Sequence, residues 1–371
     1  MRMCLVFLLA VMLPGVAAPT PRIPASAEEV LEVLPARRLP LPTVSASGPE
    51  DQARAIVDIL ALLQLAQREG DPRYLGHAEA RLDRLSPTTE TRVLRARLQQ
   101  ANHLFPQALV NLHQVLQSDP AHTEALLLQA SIYQVRGEYE LAQQSCQRVQ
   151  QLETLLLALA CRAQVDGLSG KAEQALAQLQ KLSALDKGLS PDQRTWIHLA
   201  LGDLALRMGR QQVAGAAYRK VMQNSPDALA AYADWLLANN RSADVVPLLR
   251  DHTRHDGLLL RLTLAEHRLG LPGAQAHIQE LQSRFSALLA RGETVHLREE
   301  ALFTLHLLGN TSRALLLARK NWQQQREPAD LLIYKMAATS RKSTADLALI
   351  RKWLQSSRLQ DVRLVMASTA R

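Results

Sequence analysis

The fold of this chain is decided by residues 123–155, TEALLLQASIYQVRGEYELAQQSCQRVQQLETL. The apolar spacing on both sides of Arg136-Gly137 predicts two amphipathic helices joined by a tight turn. In the second helix, Ala142, Cys146 and Val149 are separated by four and three residues and therefore share one face. Because a helix pair of this size cannot bury its apolar face alone, the pattern predicts that the pair stacks on copies of itself.

The composition favours a large protein made of helices. Of the 371 residues, 47% are hydrophobic, which is enough for a sizeable core. β-Branched residues are sparse and no stretch alternates with a period of two, so the chain is predicted to be all-α. Aromatic residues make up only 4% of the chain. This disfavours a sugar-binding groove, because aromatic rings usually supply its stacking surface.

The helix-pair pattern recurs along the chain at nearly regular intervals. Small residues anchor the second helix of four successive units, at intervals of 34, 33 and 39 residues: Ala108, Ala142, Ala175 and Ala214. A second set of small residues lies twelve positions before these anchors: Ala96, Ala130, Ala163 and Gly202. Further side chains four and seven positions after each anchor complete one helical face. The sequence therefore contains an array of similar helix pairs.

This array resembles the tetratricopeptide repeat family, whose motif has a period of 34 residues and small residues at its eighth and twentieth positions. Leu201-Gly202 matches the Leu-Gly pair of that motif, and Pro120 and Pro226 end their units as the motif prescribes. The match covers residues 89–228. It implies an α-solenoid of stacked antiparallel helix pairs that follows a right-handed superhelical curve.

The predicted organisation follows from where the match is strong and where it fades. End units of such an array are expected to diverge, because an end must present a polar face. The predicted segments are a signal peptide at 1–18, a Pro-rich linker at 19–49, an N-terminal helical pair at 50–88, the repeats at 89–228, degenerate helical pairs at 229–328, and C-terminal capping helices with a basic tail at 329–371.

Residues 1–18, MRMCLVFLLAVMLPGVAA, have the form of a secretory signal peptide. Arg2 supplies the positive start, Cys4–Leu13 the apolar stretch, and Pro14–Ala18 a break with small residues. The prediction is an exported protein, located in the periplasm of a bacterium. The alternative is an uncleaved segment that tethers the chain to the membrane, although the apolar run is short for a bilayer span.

The sequence lacks the motifs that would indicate an enzyme. It contains no G-x-x-x-x-G-K-[ST] loop, no H-E-x-x-H pair and no G-x-S-x-G turn, so neither catalysis nor a cofactor is predicted. The densest metal-like cluster combines His252 and His255 with Asp251 and Asp256. These residues fall where one helix ends and the next begins, and we interpret them as a solvated turn. An enzyme built on the solenoid is the disfavoured alternative.

Cys146 and Cys161 are the cysteines that remain once the signal peptide is removed. They lie at similar distances from the turn between two units, so antiparallel helices would place them at similar height. An exported protein encounters conditions that permit a disulfide. Matching height does not guarantee a matching face, and two buried free thiols are the alternative.

The family resemblance also implies where a partner binds, because the first helices of successive units line a concave groove in such proteins. The matching positions in this chain are Val93, Arg97, Gln100, Glu124, Leu127, Ser131 and Gln134. We therefore predict an exported, non-catalytic scaffold that binds an unidentified protein or peptide. The alternative from another class is a structural subunit of an envelope assembly or export machine.

The C-terminal segment is the most basic part of a chain with a net charge of +8. Residues 335–371 contain eight Lys and Arg residues against two Asp residues, a net charge of +6. We interpret them as a solvated closing segment. The alternative is contact with an acidic protein or a membrane surface. Nucleic acid is not expected as a partner, since this segment has one Trp and no aromatic platform.

Overall fold

The computed structural model describes residues 48–150, 155–185, 189–292 and 296–365. The predicted signal peptide at 1–18 and residues 19–47 of the predicted linker lie outside this description, so they remain predictions. Within these ranges every regular element is a helix, which confirms the all-α prediction.

The helices follow one another as hairpin-like pairs, each packed most closely against its neighbours in sequence. In chain order they are α1 Pro49–Glu69, α2 Arg73–Leu82, α3 Thr89–Ala101, α4 Phe105–Ser118, α5 Thr123–Val135, α6 Tyr139–Gln150, α7 Leu155–Asp166, α8 Ala172–Ser183, α9 Pro191–Arg207, α10 Gln211–Val221, α11 Pro226–Ala238, α12 Ser242–Leu249, α13 Asp256–Leu269, α14 Ala274–Ala290, α15 Leu297–His306, α16 Thr311–Gln324, α17 Pro328–Ser340 and α18 Thr344–Ser357. A 3₁₀ turn at Val362–Leu364 follows them. We call the odd-numbered member of each pair its first helix and the even-numbered member its second helix.

Local sequence signals start several of the first helices. Pro191, Pro226 and Pro328 each stand at the first helical position, where a missing N–H costs no intrahelical hydrogen bond. The hydroxyl groups of Thr88 and Ser190 accept hydrogen bonds from backbone N–H groups three residues on, at 3.2 Å in both cases. These caps fix the entry point of each unit and hence the register of the array.

The turn inside each pair, which we call the elbow, uses the same backbone device throughout the described residues. In each of the nine pairs one elbow residue has a positive φ, which lets the chain reverse directly after the first helix. Glycine is favoured there because it lacks the Cβ that makes this conformation costly. The nine residues are Gly70, His103, Gly137, Gly170, Gly209, Asn240, Gly270, Gly309 and Lys342.

The small residues that define the repeat lie where helices cross. Ala96, Ala108, Ala130 and Ala142 have no exposed surface. At Gly202 an added Cβ would lie 2.4 Å from the ring of Tyr218, a separation that real Cβ atoms do not show. The first helices of neighbouring pairs contact one another from α3 through α17, whereas contacts between second helices are sparse. The first helices therefore form the concave side of the array.

The array curves far enough for its late helices to contact its early elbows. Arg326, between α16 and α17, donates its backbone N–H to the carbonyl oxygen of Val135 at the end of α5 (2.7 Å). The backbone N–H of Ala172 donates to the side chain of Gln360 (3.3 Å). One continuous hydrophobic core accordingly includes side chains from 93–168 and from 297–364. The solenoid thus closes on itself.

Candidate partner-binding surface

Polar side chains of α3 and α5 meet on the concave side, where the groove is predicted. Arg97 Nε lies 2.7 Å from Glu124 Oε1, and these side chains are 42% and 45% exposed. One turn further along, Gln100 Nε2 donates to Ser131 Oγ (3.1 Å). Leu127 lies between Glu124 and Ser131 in the sequence of α5. Its side chain is half-buried and packs on the core. We call these five residues the α3–α5 surface.

Two residues predicted to face a partner are instead buried. Val93 is 3% exposed and belongs to the core, and Gln134 is 8% exposed. Gln134 lies in the last turn of α5, directly before the elbow that Arg326 covers. The expectation that these two side chains are accessible is wrong for two reasons. Val93 lies on the face of α3 that packs into the core. Gln134 lies at the end of α5, which contacts from the loop around Arg326 cover.

First helices further along the concave side are also linked by polar contacts. Trp196 Nε1 of α9 donates to Gln164 of α7 (2.9 Å), and Arg261 of α13 makes a two-pronged contact with Asp234 of α11 (2.6 and 2.8 Å). Near the start of α15, Arg298 lies 2.8 Å from Glu327. The concave side is therefore lined by paired polar groups whose mutual contacts a ligand would have to replace.

Electrostatics on this side favours the charged forms of those pairs. Although burial opposes ionisation of Glu299, the Arg298 guanidinium holds the pKa of its carboxyl at about 2. Although burial opposes its charge, the carboxylates of Asp330, Glu299 and Glu327 keep the pKa of Arg298 well above its ordinary value. At Asp330 burial outweighs the opposing charge of Arg298 and raises the pKa of the carboxyl to about 6. Arg298 and Glu299 are therefore both charged near neutral pH.

Five elbows are covered by residues from the far end of the array or from its later loops. Trp353 of α18 lies over Gly137, where an added Cβ would be 2.5 Å from its ring. His255 lies over Gly70 in the same way, at 2.6 Å. Arg358 and Val362 approach the remaining two glycines, Gly170 and Gly209, at 3.0 and 3.7 Å. The fifth covered elbow contains His103. No local sequence signal indicates this set, which we call the covered elbows.

At the covered elbow of α3–α4, the side chain of Gln325 contacts a half-buried histidine. Gln325 Nε2 donates to Nδ1 of His103 (2.6 Å), and the imidazole stacks on Phe105 with ring centroids 5.4 Å apart. Burial, assisted by the charge of Arg298, lowers the pKa of His103 to about 4. His103 is therefore neutral near pH 7, as an acceptor for Gln325 must be.

The elbow of α5–α6 is closed by an aromatic cluster. The ring of Trp353 meets that of Trp322 edge-on at 5.3 Å and that of Tyr139 at 6.4 Å, measured between centroids. The guanidinium of Arg326 lies 5.0 Å from the centre of the Trp353 ring. Burial raises the pKa of Tyr139 to about 12. Tyr139 thus fills the elbow together with aromatic partners that lie far from it in sequence.

Within the described residues, the cysteine pair forms a disulfide and the histidine cluster forms no metal site. Cys146 of α6 and Cys161 of α7 are bonded, with Cα atoms 5.6 Å apart and both side chains buried. Asp256 pairs with Arg284 (2.7 Å), while His255 is occupied at the elbow of α1–α2. No group of three or more His, Cys, Asp or Glu side chains in these ranges is arranged to hold a metal ion.

The basic C-terminal segment is divided between structural and exposed residues. Lys335 Nζ donates to the carbonyl oxygens of Arg363 and Val365, both at 2.9 Å. Arg363 pairs with Asp361 (2.6 Å). Four others are exposed: Arg341, Lys342, Arg351 and Lys352. Arg358 is exposed as well, next to the elbow of α7–α8, and Arg371 lies outside the described ranges. None of the described helices is both long and apolar enough to cross a membrane.

No protein-family model matches the chain, and no curated protein matches it. Solved structures are similar to it. The Cut9-Hcn1 hetero-tetramer of the APC/C is 13% identical, over 86% of this chain and 62% of the other, with a TM-score of 0.53. A Rap protein complexed with competence and sporulation factor is 12% identical, over 81% and 87%, with a TM-score of 0.49. TTC0263, a thermophilic TPR protein of Thermus thermophilus, is 24% identical, over 50% and 99%, with a TM-score of 0.41. What is shared is the fold.

Proposed function

We propose that this chain, a solenoid of the tetratricopeptide-repeat type, is an exported scaffold that binds a protein or peptide on the α3–α5 surface. The observation that carries the proposal is the position of Arg97, Gln100, Glu124 and Ser131 on the concave side, with Leu127 between them. Concave surfaces of such arrays are where extended partners usually bind.

The chemistry of this surface suits a peptide in extended conformation. Arg97 and Glu124 are a cation and an anion that are each more than two-fifths exposed, so both remain available to a partner. Gln100 and Ser131 offer donors and acceptors that match a backbone, and Leu127 supplies an apolar contact. Because these groups already contact one another, the free surface is held ready and binding does not have to order it.

Export and the absence of catalysis are parts of the same proposal. Export rests on the form of residues 1–18, and a periplasmic location fits the buried disulfide between Cys146 and Cys161. A non-catalytic role rests on the lack of enzyme motifs in the sequence. Neither export nor the absence of catalysis depends on the α3–α5 surface. A test of that surface therefore does not test these two parts of the proposal.

The test compares two matched variants against a partner captured from an envelope fraction and then purified. The site variant is Arg97→Ala with Glu124→Ala. The control is Arg241→Ala with Asp244→Ala, an ion pair of equal length (2.7 Å) and similar exposure, 43% and 52%, at the start of α12. We expect the site variant to bind at least about tenfold more weakly, as removal of central contacts typically does, and the control to bind like the wild type.

The salt dependence of the affinity distinguishes binding at this surface from binding at the basic C-terminal segment. Binding through the α3–α5 surface should weaken only modestly as ionic strength rises, whereas binding through exposed lysines and arginines should weaken steeply. Equal affinities of the two variants would contradict the proposal. So would a partner whose affinity falls steeply with salt and is unchanged by Arg97→Ala with Glu124→Ala.

A further inference from the structure

The outer side of α18 is basic and carries no acidic residue. Arg351 and Lys352 are exposed there, and Arg341 and Lys342 are exposed in the elbow that leads into the helix. The acidic residue of the helix, Asp346, is 3% exposed and turned inward. Leu349 lies one helical turn before Lys352 and is 60% exposed. The last helix therefore presents cations and one large apolar side chain together.

The neighbouring second helix, α16, extends this surface. Arg319 of α16 binds the inward-facing Asp346 of α18 through two hydrogen bonds, the longer one 2.7 Å, and this ion pair links the two helices. On its outer side α16 adds Lys320 and Leu316, the latter 55% exposed. We call these seven residues the basic outer face: Leu316, Lys320, Arg341, Lys342, Leu349, Arg351 and Lys352.

The charge of this face is not neutralised by its surroundings. Every carboxylate in 311–365 is already engaged: Glu327 and Asp330 with Arg298, Asp346 with Arg319, and Asp361 with Arg363. Among the described residues, none of the five cations of the basic outer face takes part in an ion pair. The face thus keeps five positive charges that no carboxylate of the described residues balances through an ion pair.

The shape of the face distinguishes between kinds of partner. Second helices form the convex side of the array, so the face offers no groove in which a peptide would be enclosed. Cations spread over a convex surface, with exposed leucines between them, are the arrangement by which proteins lie on anionic bilayers. The lysines and arginines attract phosphate groups, and the leucines enter the boundary with the acyl chains.

We propose that the basic outer face of α16 and α18 docks this protein on an anionic lipid surface. Docking there leaves the concave side free, because it uses the opposite side of the array. The inference is therefore independent of the partner-binding proposal. A scaffold held in this way would present the α3–α5 surface away from the bilayer.

The experiment measures binding of the full chain to vesicles by co-sedimentation. One set contains equimolar phosphatidylglycerol and phosphatidylcholine, and the other contains phosphatidylcholine alone. The site variant is Arg351→Gln with Lys352→Gln. The matched control is Arg219→Gln with Lys220→Gln, an adjacent exposed pair near the end of α10. Every protein keeps the same residues 1–47, so any contribution of the apolar stretch Cys4–Leu13 is common to all.

We expect tighter binding to the anionic vesicles and a loss of about 25-fold in the site variant, since each cation near such a surface contributes about fivefold. The control should lose less than about threefold, and Leu349→Ser should weaken binding without changing its salt dependence. Equal losses in both double variants would show a response to net charge alone and would overturn the proposal. The proposal would also be overturned if the protein did not bind the vesicles but bound soluble polyglutamate through Arg351 and Lys352. The basic outer face would then fit an acidic protein.

Discussion

The covered elbows and the open elbows of this solenoid share a backbone conformation and differ in what lies above it. Gly137 and Gly309 have φ values of 73° and 64°, and both end a first helix. Above Gly137 the ring of Trp353 occupies the place of a Cβ, whereas nothing lies within 4 Å of that place at Gly309. Glycine at the open elbow is thus required by the turn alone, and at the covered elbow by the turn and by a side chain distant in sequence.

This difference shows that glycine in an elbow can be required by two separate constraints, the backbone conformation of the turn and the packing above it. A local turn needs a positive φ, which His103, Asn240 and Lys342 also adopt in their elbows. Closure of the array needs empty space, which only glycine provides at Gly70 and Gly137. Substitutions at covered and open elbows can distinguish the two constraints.

The largest effect is expected when a Cβ is placed in a covered elbow. Gly137→Ala should lower the free energy of unfolding by about 4 kcal/mol, because it adds overpacking against Trp353 to the strain of a positive φ. Gly309→Ala should lower it by only about 1 kcal/mol, the strain alone. Denaturant unfolding of both variants measures the difference. Equal losses would show that Trp353 does not constrain Gly137.

Removal of the disulfide should have the next largest effect. Cys146 and Cys161 are 15 residues apart and join the two units whose elbows Trp353 and Arg358 cover. Replacing both by Ala should lower the free energy of unfolding by about 3 kcal/mol, as expected for a loop of this length. Unfolding of the wild type under reducing conditions should give a similar value. A wild type unaffected by reductant would indicate that the bond does not form in solution.

Acid should weaken the covered elbows selectively through His103. Its pKa is about 4 in the folded chain against an ordinary value of 6.5, so between these values the unfolded state binds more protons. The contribution is fully present above pH 6.5 and is lost as the pH falls toward 4, by on the order of 3 kcal/mol. His103→Asn, which tolerates a positive φ and does not titrate, should flatten this part of the stability profile. Parallel profiles for wild type and variant would refute the assignment.

The smallest effect is expected on the open concave side. The Arg97–Glu124 pair is about half exposed, and such pairs contribute roughly 0.2–1 kcal/mol to stability. A double-mutant cycle with Arg97→Ala and Glu124→Ala should therefore give a coupling energy in that range. A coupling above about 2 kcal/mol would mean that this pair holds α3 to α5, and would make it a structural contact more than a binding surface.

The repeat could be read from the sequence because it is encoded locally. Ala96, Ala108, Ala130 and Ala142 recur at fixed spacing, and close helix crossings require small residues there. The contacts of the array's closure have no such periodicity. Gln325 meets His103 across 222 positions and Gln360 meets Ala172 across 188, so each is a single long-range pairing without a repeated signature.

The same distinction explains which of the predicted site residues lie on the accessible concave side. Arg97, Gln100, Glu124 and Ser131 depend only on the position of a side chain within its own repeat, and they are accessible on the concave side. Gln134 occupies an equivalent position, yet its surroundings are set by the loop around Arg326. The glycines of the covered elbows predict a turn. They do not predict which side chain fills the space above that turn.

Closure of the array also restricts how this protein can change over evolutionary time. Open solenoids gain or lose whole repeats readily, because each unit contacts only its neighbours. Here an additional pair inserted between α10 and α11 would carry Trp353 one unit past Gly137 and Arg326 one unit past Val135. The gain of a unit would break the contacts that close the array. The number of helix pairs between α5 and α18 is thus constrained by these contacts, whereas the pairs of an open solenoid are not constrained in this way.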